Sequence, residues 1–145
     1  MASIGQTIVI RTDLFDLPKD TGLLTAQVAH VHMELTRRLI QENFVKDEDF
    51  IGIKLPEEGE LGADFMDWID DPYIFVKGVQ NIEALNHFEA KSRDAKLPTF
   101  LWTDTIYVRL TPTKQEAMHK VPVGFSIGPA DADKMRAVVG DLPLL

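Results

Sequence analysis

The chain has 145 residues, 45% apolar and 26% charged, which is the make-up of one ordinary globular domain and too little for two. Cysteine is absent, which excludes disulfides, thiolate zinc sites, iron–sulfur clusters and a cysteine nucleophile. The net charge of −8 argues against non-specific nucleic-acid binding; the excess is local, because Lys46 to Asp71 holds ten acids and two lysines and the rest of the chain balances.

In chain order, Gln6 to Thr12 is short and β-branched and reads as a first strand, ending in the turn-prone stretch Asp13 to Gly22. From Leu23 to about Asn43, Leu24, Val28, Val31, Leu35 and Leu39 recur at steps of three and four. Ala26, Ala29, Met33 and Ile40 are read as widening that stripe, which predicts a long helix packed on a sheet. Asp20 and Thr21 are suitable N-cap types for it. The acidic stretch 46–71, broken by Pro56, Gly59 and Gly62, is expected to be an excursion from the single domain, with a short amphipathic helix around Phe65, Trp68 and Ile69.

Tyr73 to Gly78 reads as a second strand, and Asn81 to Ala95 as a second helix capped by Asn81, with Ile82, Leu85, Phe88 and Ala95 on one face. Thr99 to Leu110 and Val121 to Ile127 read as two further strands around a polar loop, with Gly128-Pro129 closing the last of them. A short helix from Asp131 to Val139 ends at Gly140. The expected fold class is therefore α/β: one domain, residues 1–145, with a small four-stranded mixed sheet flanked by helices. No run approaches the roughly 18 apolar residues of a membrane span, and Met1 to Gln6 has no basic patch before an apolar stretch, so no membrane and a cytoplasmic location are expected.

Three groups of residues could carry chemistry. Gln27 and His30 share a face of the long helix while His32 points elsewhere, which disfavours a two-histidine metal site and leaves open a merely polar packing role. Asp104 stands among threonines in a strand that otherwise reads as buried, so its carboxylate must be hydrogen-bonded or face a cavity. That makes it the best candidate for a general base or water-orienting group. Glu57, Glu58 and Glu60 fit no twelve-residue calcium loop and read as a solvated acidic face. No dinucleotide fingerprint, phosphate loop, nucleophile elbow or His-Glu-x-x-His occurs, so neither cofactor nor metal is expected.

Arg11-Thr12-Asp13-Leu14 followed by Thr25-Ala26-Gln27-Val28-Ala29-His30 resembles the opening of the archaeal and eukaryotic (type 2) peptidyl-tRNA hydrolase family. Asp104, Pro112, Ile127-Gly128-Pro129 and Gly140-x-Leu142-x-Leu144-Leu145 resemble further landmarks of that family in the same order. The resemblance implies the family fold, hydrolysis of the ester joining a peptide to tRNA, tRNA or peptidyl-tRNA as partner, and a homodimer. It implies Asp104, Gln27 and His30 as catalytic residues; Asp13 and Gly22 are read as substrate contacts, and so are Lys19, Thr105 and Arg109, close in sequence to the site, as compensation for family residues that this chain lacks.

Departures accompany the match. Leu23 stands where the family has a lysine, Val108 and Val123 stand where it has threonines, and Asp104-Thr105-Ile106 replaces Asp-Ala-Gly. The loop Thr111 to Lys120 is longer than the family's turn. The site is thus expected to be divergent. Two alternatives stand beside a working esterase: an inactive binding or regulatory module whose cleft is filled by Leu23, Val108 and Val123, and a redirected activity on a small molecule in a cleft made apolar by Phe15, Trp102 and Tyr107.

Overall fold

The structure, a computed structural model, describes residues 3–53, 60–105 and 120–145. Strand β1 (Ile4–Arg11) is buried along most of its length, as its run Thr7-Ile8-Val9-Ile10 suits a strand covered on both faces. Helix α1 (Thr21–Asn43) follows, then a hairpin of β2 (Phe44–Lys46) and β3 (Ile51–Ile53), and helix α2 (Glu60–Asp70). Strand β4 (Tyr73–Val79), helix α3 (Ile82–Asp94), strands β5 (Thr99–Thr105) and β6 (Lys120–Asp131), and helix α4 (Ala132–Val139) complete the chain. The main sheet has the order β4-β1-β6-β5, with β4 parallel to β1 and β6 antiparallel to β1 and β5. This is the expected single α/β domain with a four-stranded mixed sheet. No described helix is long and apolar enough to cross a membrane.

One sheet face carries α3 and α4 over Val9, Leu85, Phe125, Ile127, Met135 and Val139. The other carries α1 over Ile10, Val123, Leu24 and Val28 at one end and, with α2, over Leu35, Leu39 and Trp68 at the other. Trp68 pins the excursion to the sheet side of the molecule, and its indole Nε1 donates to the Tyr73 carbonyl at 3.0 Å.

Several details correct the sequence reading. Ala26, Ala29, Met33 and Ile40 are exposed; at about 100° per residue they fall diametrically opposite Val31 and Leu35, while Gln27 and Glu34 take the buried flank of the stripe. Asp20 precedes α1 without capping it, because its Oδ2 accepts from the Asp16 N–H at 2.9 Å, whereas Asn81 and Asp131 do cap α3 and α4 through their side chains. Ala95 ends α3 as an exposed C-cap residue and adds nothing to its inner face. The hairpin β2–β3 has no strong signal in the sequence, its strands being three residues each.

Gly128-Pro129 does not close β6. The strand passes through this pair, and pairing with β1 resumes at Ala130 and Asp131 after a register shift between Gly5 and Thr7. A bulge there requires glycine: Gly128 has φ of +99°, and a Cβ would lie 2.6 Å from the Gly5 carbonyl oxygen. The segments 106–110 and 111–119, with Arg109, Val108, Tyr107 and the long polar loop, lie outside the described residues.

Candidate active site

The site grows from the contact between the start of α1 and the end of β5, an edge strand. Along β5, alternation sends Phe100, Trp102 and Asp104 to the α1 side of the sheet. Gln27 is buried on the inner face of α1, about 7.5 Å along the axis from Gly22. Its amide bridges the two strand residues: Nε2 donates to Asp104 Oδ2 at 2.9 Å, and Oε1 accepts from Trp102 Nε1 at 3.0 Å. His30, one turn further and exposed, stacks on the Trp102 indole with centroids 5.0 Å apart and planes 13° apart. The three residues expected to be catalytic are therefore assembled around one tryptophan.

Beside Asp104 an open pocket of about 440 Å³ is lined by Glu34, Arg37, Arg38, Leu101, Trp102, Thr103 and Lys120. The half-buried Asp104 carboxylate at this pocket meets the expectation that it be hydrogen-bonded or facing a hollow. Chemically, an anchored carboxylate at a polar hollow can position a water, and the flanking cations can balance an anionic substrate.

The expected substrate contacts are dispersed. The Asp13 carboxylate is held by Arg11, whose Nε and Nη2 donate to it at 3.1 and 2.8 Å while Nη1 donates to the Pro122 carbonyl at 3.2 Å. Lys19 is exposed in the connection before α1, and Gly22, in the first turn, has open space where a side chain would stand. Thr105 is the last residue of β5, opposite Lys120. Of the apolar replacements, Leu23 is 37% exposed and Val123 is fully buried among Ile10, Leu14 and Phe15, so neither occupies the pocket beside Asp104.

Sequence reasoning missed the ion cluster that forms the pocket's wall. Glu34 is only 2% exposed, and its carboxylate accepts from Arg37 Nε at 2.9 Å, from Arg37 Nη2, and from Arg38 Nε at 3.0 Å. Burial pushes the Glu34 pKa up, but the hydrogen bonds and charges of the two arginines outweigh it and hold the carboxyl below the usual glutamate value. The signal was present: a glutamate inside the apolar stripe with arginines three and four residues on. A second polar group, also missed, lies deeper. Gln6 is fully buried with its Oε1 2.6 Å from His32 Nδ1, so the histidine nitrogen donates there, and the rings of His32 and Trp68 meet at 5.8 Å.

The model of the family described as Peptidyl-tRNA hydrolase PTH2 matches residues 4–145, nearly the whole chain. The chain therefore belongs to this family of peptidyl-tRNA hydrolases. No curated protein matches it. A solved structure of a protein of unknown function from Agrobacterium tumefaciens strain C58 is similar, with 15% identity and a TM-score of 0.49, covering 100% of this chain and 99% of that one.

Proposed function

We propose that this protein cleaves the ester joining a peptide to the terminal ribose of tRNA, with Asp104 as the water-orienting carboxylate. The observation that carries the reading is the Gln27–Asp104 hydrogen bond at the mouth of the 440 Å³ pocket, inside a chain of the peptidyl-tRNA hydrolase family. Asp104 takes a proton from water as its oxygen attacks the ester carbon and returns that proton to the ribose oxygen as the carbon–oxygen bond breaks, giving a free carboxylic acid, a free hydroxyl and the carboxylate restored. Gln27 fixes the orientation of the carboxylate, His30 on its tryptophan platform orients the substrate, and first-turn N–H groups of α1 receive the developing oxyanion. Asp13, Lys19 and Gly22 at the start of α1, with Thr105 and Arg109 following Asp104, are the substrate contacts in this reading.

The test is release of tRNA from a peptidyl-tRNA ester by wild type and Asp104→Asn. The variant should lose about 10²- to 10⁴-fold in rate, the span of a general base, while keeping its melting temperature. Undiminished cleavage would remove Asp104 from the mechanism. The same reading makes the protein cytoplasmic and a homodimer; the pairing is favoured by exposed Tyr73, Ile74 and Phe75 on edge strand β4, and sedimentation velocity decides it.

A further inference from the structure

The pocket beside Asp104 adjoins a second open pocket of about 480 Å³, lined by Arg38, Glu42, Arg93, Thr99, Phe100, Leu101 and Thr103. The two share Arg38, Leu101 and Thr103, so together they form one groove along the outer edge of β5. Seven strand residues make that edge about 20 Å long. Four cations line the groove, Arg37, Arg38, Arg93 and Lys120, against three acids, Glu34, Glu42 and Asp104, and Arg93 is also paired with Glu89 at 3.0 Å. The seam is therefore charge-balanced on a chain whose overall charge is −8.

The arrangement of Arg37 and Arg38 is specific. Both are half exposed, and both are tied at the base to the one buried carboxylate of Glu34, which they hold ionised. A surface arginine pair without such an anchor samples many rotamers and repels itself. Here Arg37 is held through Nε and Nη2 on Glu34 and Nη1 on Gln41 Oε1 at 3.4 Å, while Arg38 is tied through Nε alone, so its two Nη groups are the donors that can meet a ligand. Planar guanidiniums in fixed positions match the oxygens of a phosphate, which a flexible lysine does not.

A smaller cavity of about 180 Å³ under the C-terminal residues, lined by Thr7, Phe75, Lys77, Met135, Arg136 and Leu144, lacks this character. Its two cations share no buried anchor: Lys77 donates to the Gly140 and Leu142 carbonyls at 3.0 Å each, and Arg136 pairs with the exposed Asp133.

We propose that Arg37 and Arg38, locked by Glu34, grip a backbone phosphate of an RNA strand lying along the β5 edge, and that Glu34 is a positioning residue acting through them. The proposal rests on the ester-hydrolysis reading of the Asp104 pocket, because the grip sets where the strand's end falls relative to that carboxylate. Arg38, bordering both pockets, carries the strand on toward Arg93.

The experiment measures the affinity of the full chain for unacylated tRNA and for a twelve-nucleotide single-stranded RNA across a salt series, with inorganic phosphate as competitor. Because deleting the arginines alone strands a buried carboxylate, the main variant is the triple Glu34→Gln/Arg37→Gln/Arg38→Gln, checked for an intact melting transition. It should bind RNA at least tenfold more weakly, with the slope of log affinity against log salt reduced by about 1 to 2, the release of one or two phosphate contacts. Glu34→Gln alone should raise Kd and KM several-fold with kcat nearly unchanged, and Arg37→Lys/Arg38→Lys should keep the salt slope yet bind more weakly.

A folded triple variant with wild-type affinity and slope would overturn the proposal, as would equal displacement of RNA by millimolar phosphate, which marks a site for a small anion only. The two readings fail separately. Arginine-dependent RNA binding with no cleavage by wild type leaves the grip standing and removes the Asp104 chemistry. Cleavage that is indifferent to the triple variant does the reverse.

Discussion

The two faces of the main sheet are built from the same strands and hold opposite kinds of interior. Beneath α3 and α4 the apolar cluster from Val9 and Leu85 to Phe125 and Met135 is joined, among the described residues, only by hydroxyls with close partners: Thr7 donates to Met135 Sδ at 3.6 Å, Ser92 to the Phe88 carbonyl at 2.7 Å and Thr99 to the Leu97 carbonyl at 2.9 Å. Beneath α1 and α2 the apolar clusters are interrupted by Gln27, Glu34, His32 and Asp104, drawn into hydrogen bonds or ion pairs, and by Gln6, whose Oε1 is bonded to His32 while its buried Nε2 has no partner among the described residues. Both open pockets along β5 take lining residues from α1, Arg38 and Glu42 in one and Glu34, Arg37 and Arg38 in the other. Buried polar groups cost free energy unless partnered; the α3–α4 face meets that cost with small hydroxyls, whereas the carboxylate, amide and imidazole groups gather beneath α1 and α2.

The comparison breaks most visibly at its apolar side. Phe125→Ala removes a fully buried ring and should destabilise the domain by about 3–5 kcal/mol in denaturant unfolding. Its neighbour Ser126, also fully buried and without a hydrogen-bond partner among the described residues, should tolerate Ser126→Ala within about 1 kcal/mol. Equal losses at the two positions would erase the distinction between packing and polarity.

On the polar side, Gln27→Ala removes partners from Asp104 and Trp102 together. It should cost about 1–3 kcal/mol of stability and lower the proposed esterase rate by more than tenfold, read from unfolding curves and from tRNA release. A rate unchanged in that variant would show that the bridge holds structure alone.

The smallest effect concerns His32, whose pKa burial holds below the ordinary histidine value. A histidine that resists protonation when folded binds its proton more readily when unfolded. Its contribution is therefore present above the unfolded value of about 6.5 and is lost as pH falls from there toward the lowered folded value. Melting temperatures should decline through that interval in wild type, and the decline should be shallower in His32→Gln.

The fold was legible in the sequence where periodicity was long. The 23-residue helix α1, the β-branched run of β1 and the Asn81 cap all stand where the pattern puts them. Legibility failed where a local rule met a tertiary exception. Gly128-Pro129 reads as a stop, yet the bulge opposite Gly5 lets β6 continue. Met33 and Ile40 read as core because they are apolar, yet their angular position turns them outward. Around the candidate site, Asp104 could be singled out because a carboxylate in a strand that reads as buried is conspicuous, whereas the family resemblance points to Gln27 and His30, which on their own read as polar packing. The Glu34 cluster escaped because an acid followed by arginines on a helix looks like ordinary surface until its burial is known. Trp102, which seats both Gln27 and His30, looked like a lining residue.

Gly124 of β6 sits opposite Ile10 on one side and Trp102 on the other, and a Cβ there would come within 2.5 Å of the Val9 carbonyl oxygen and 3.3 Å of Val31 in α1. The helix can therefore settle onto the sheet at that point more closely than any side chain would allow. Gln27 lies one turn before Val31, so its reach to Asp104 is set by how near the helix axis comes. A single missing methyl group at Gly124 thus acts as a spacer between β6, β1 and α1, and through the helix it bears on how closely Gln27 approaches Asp104.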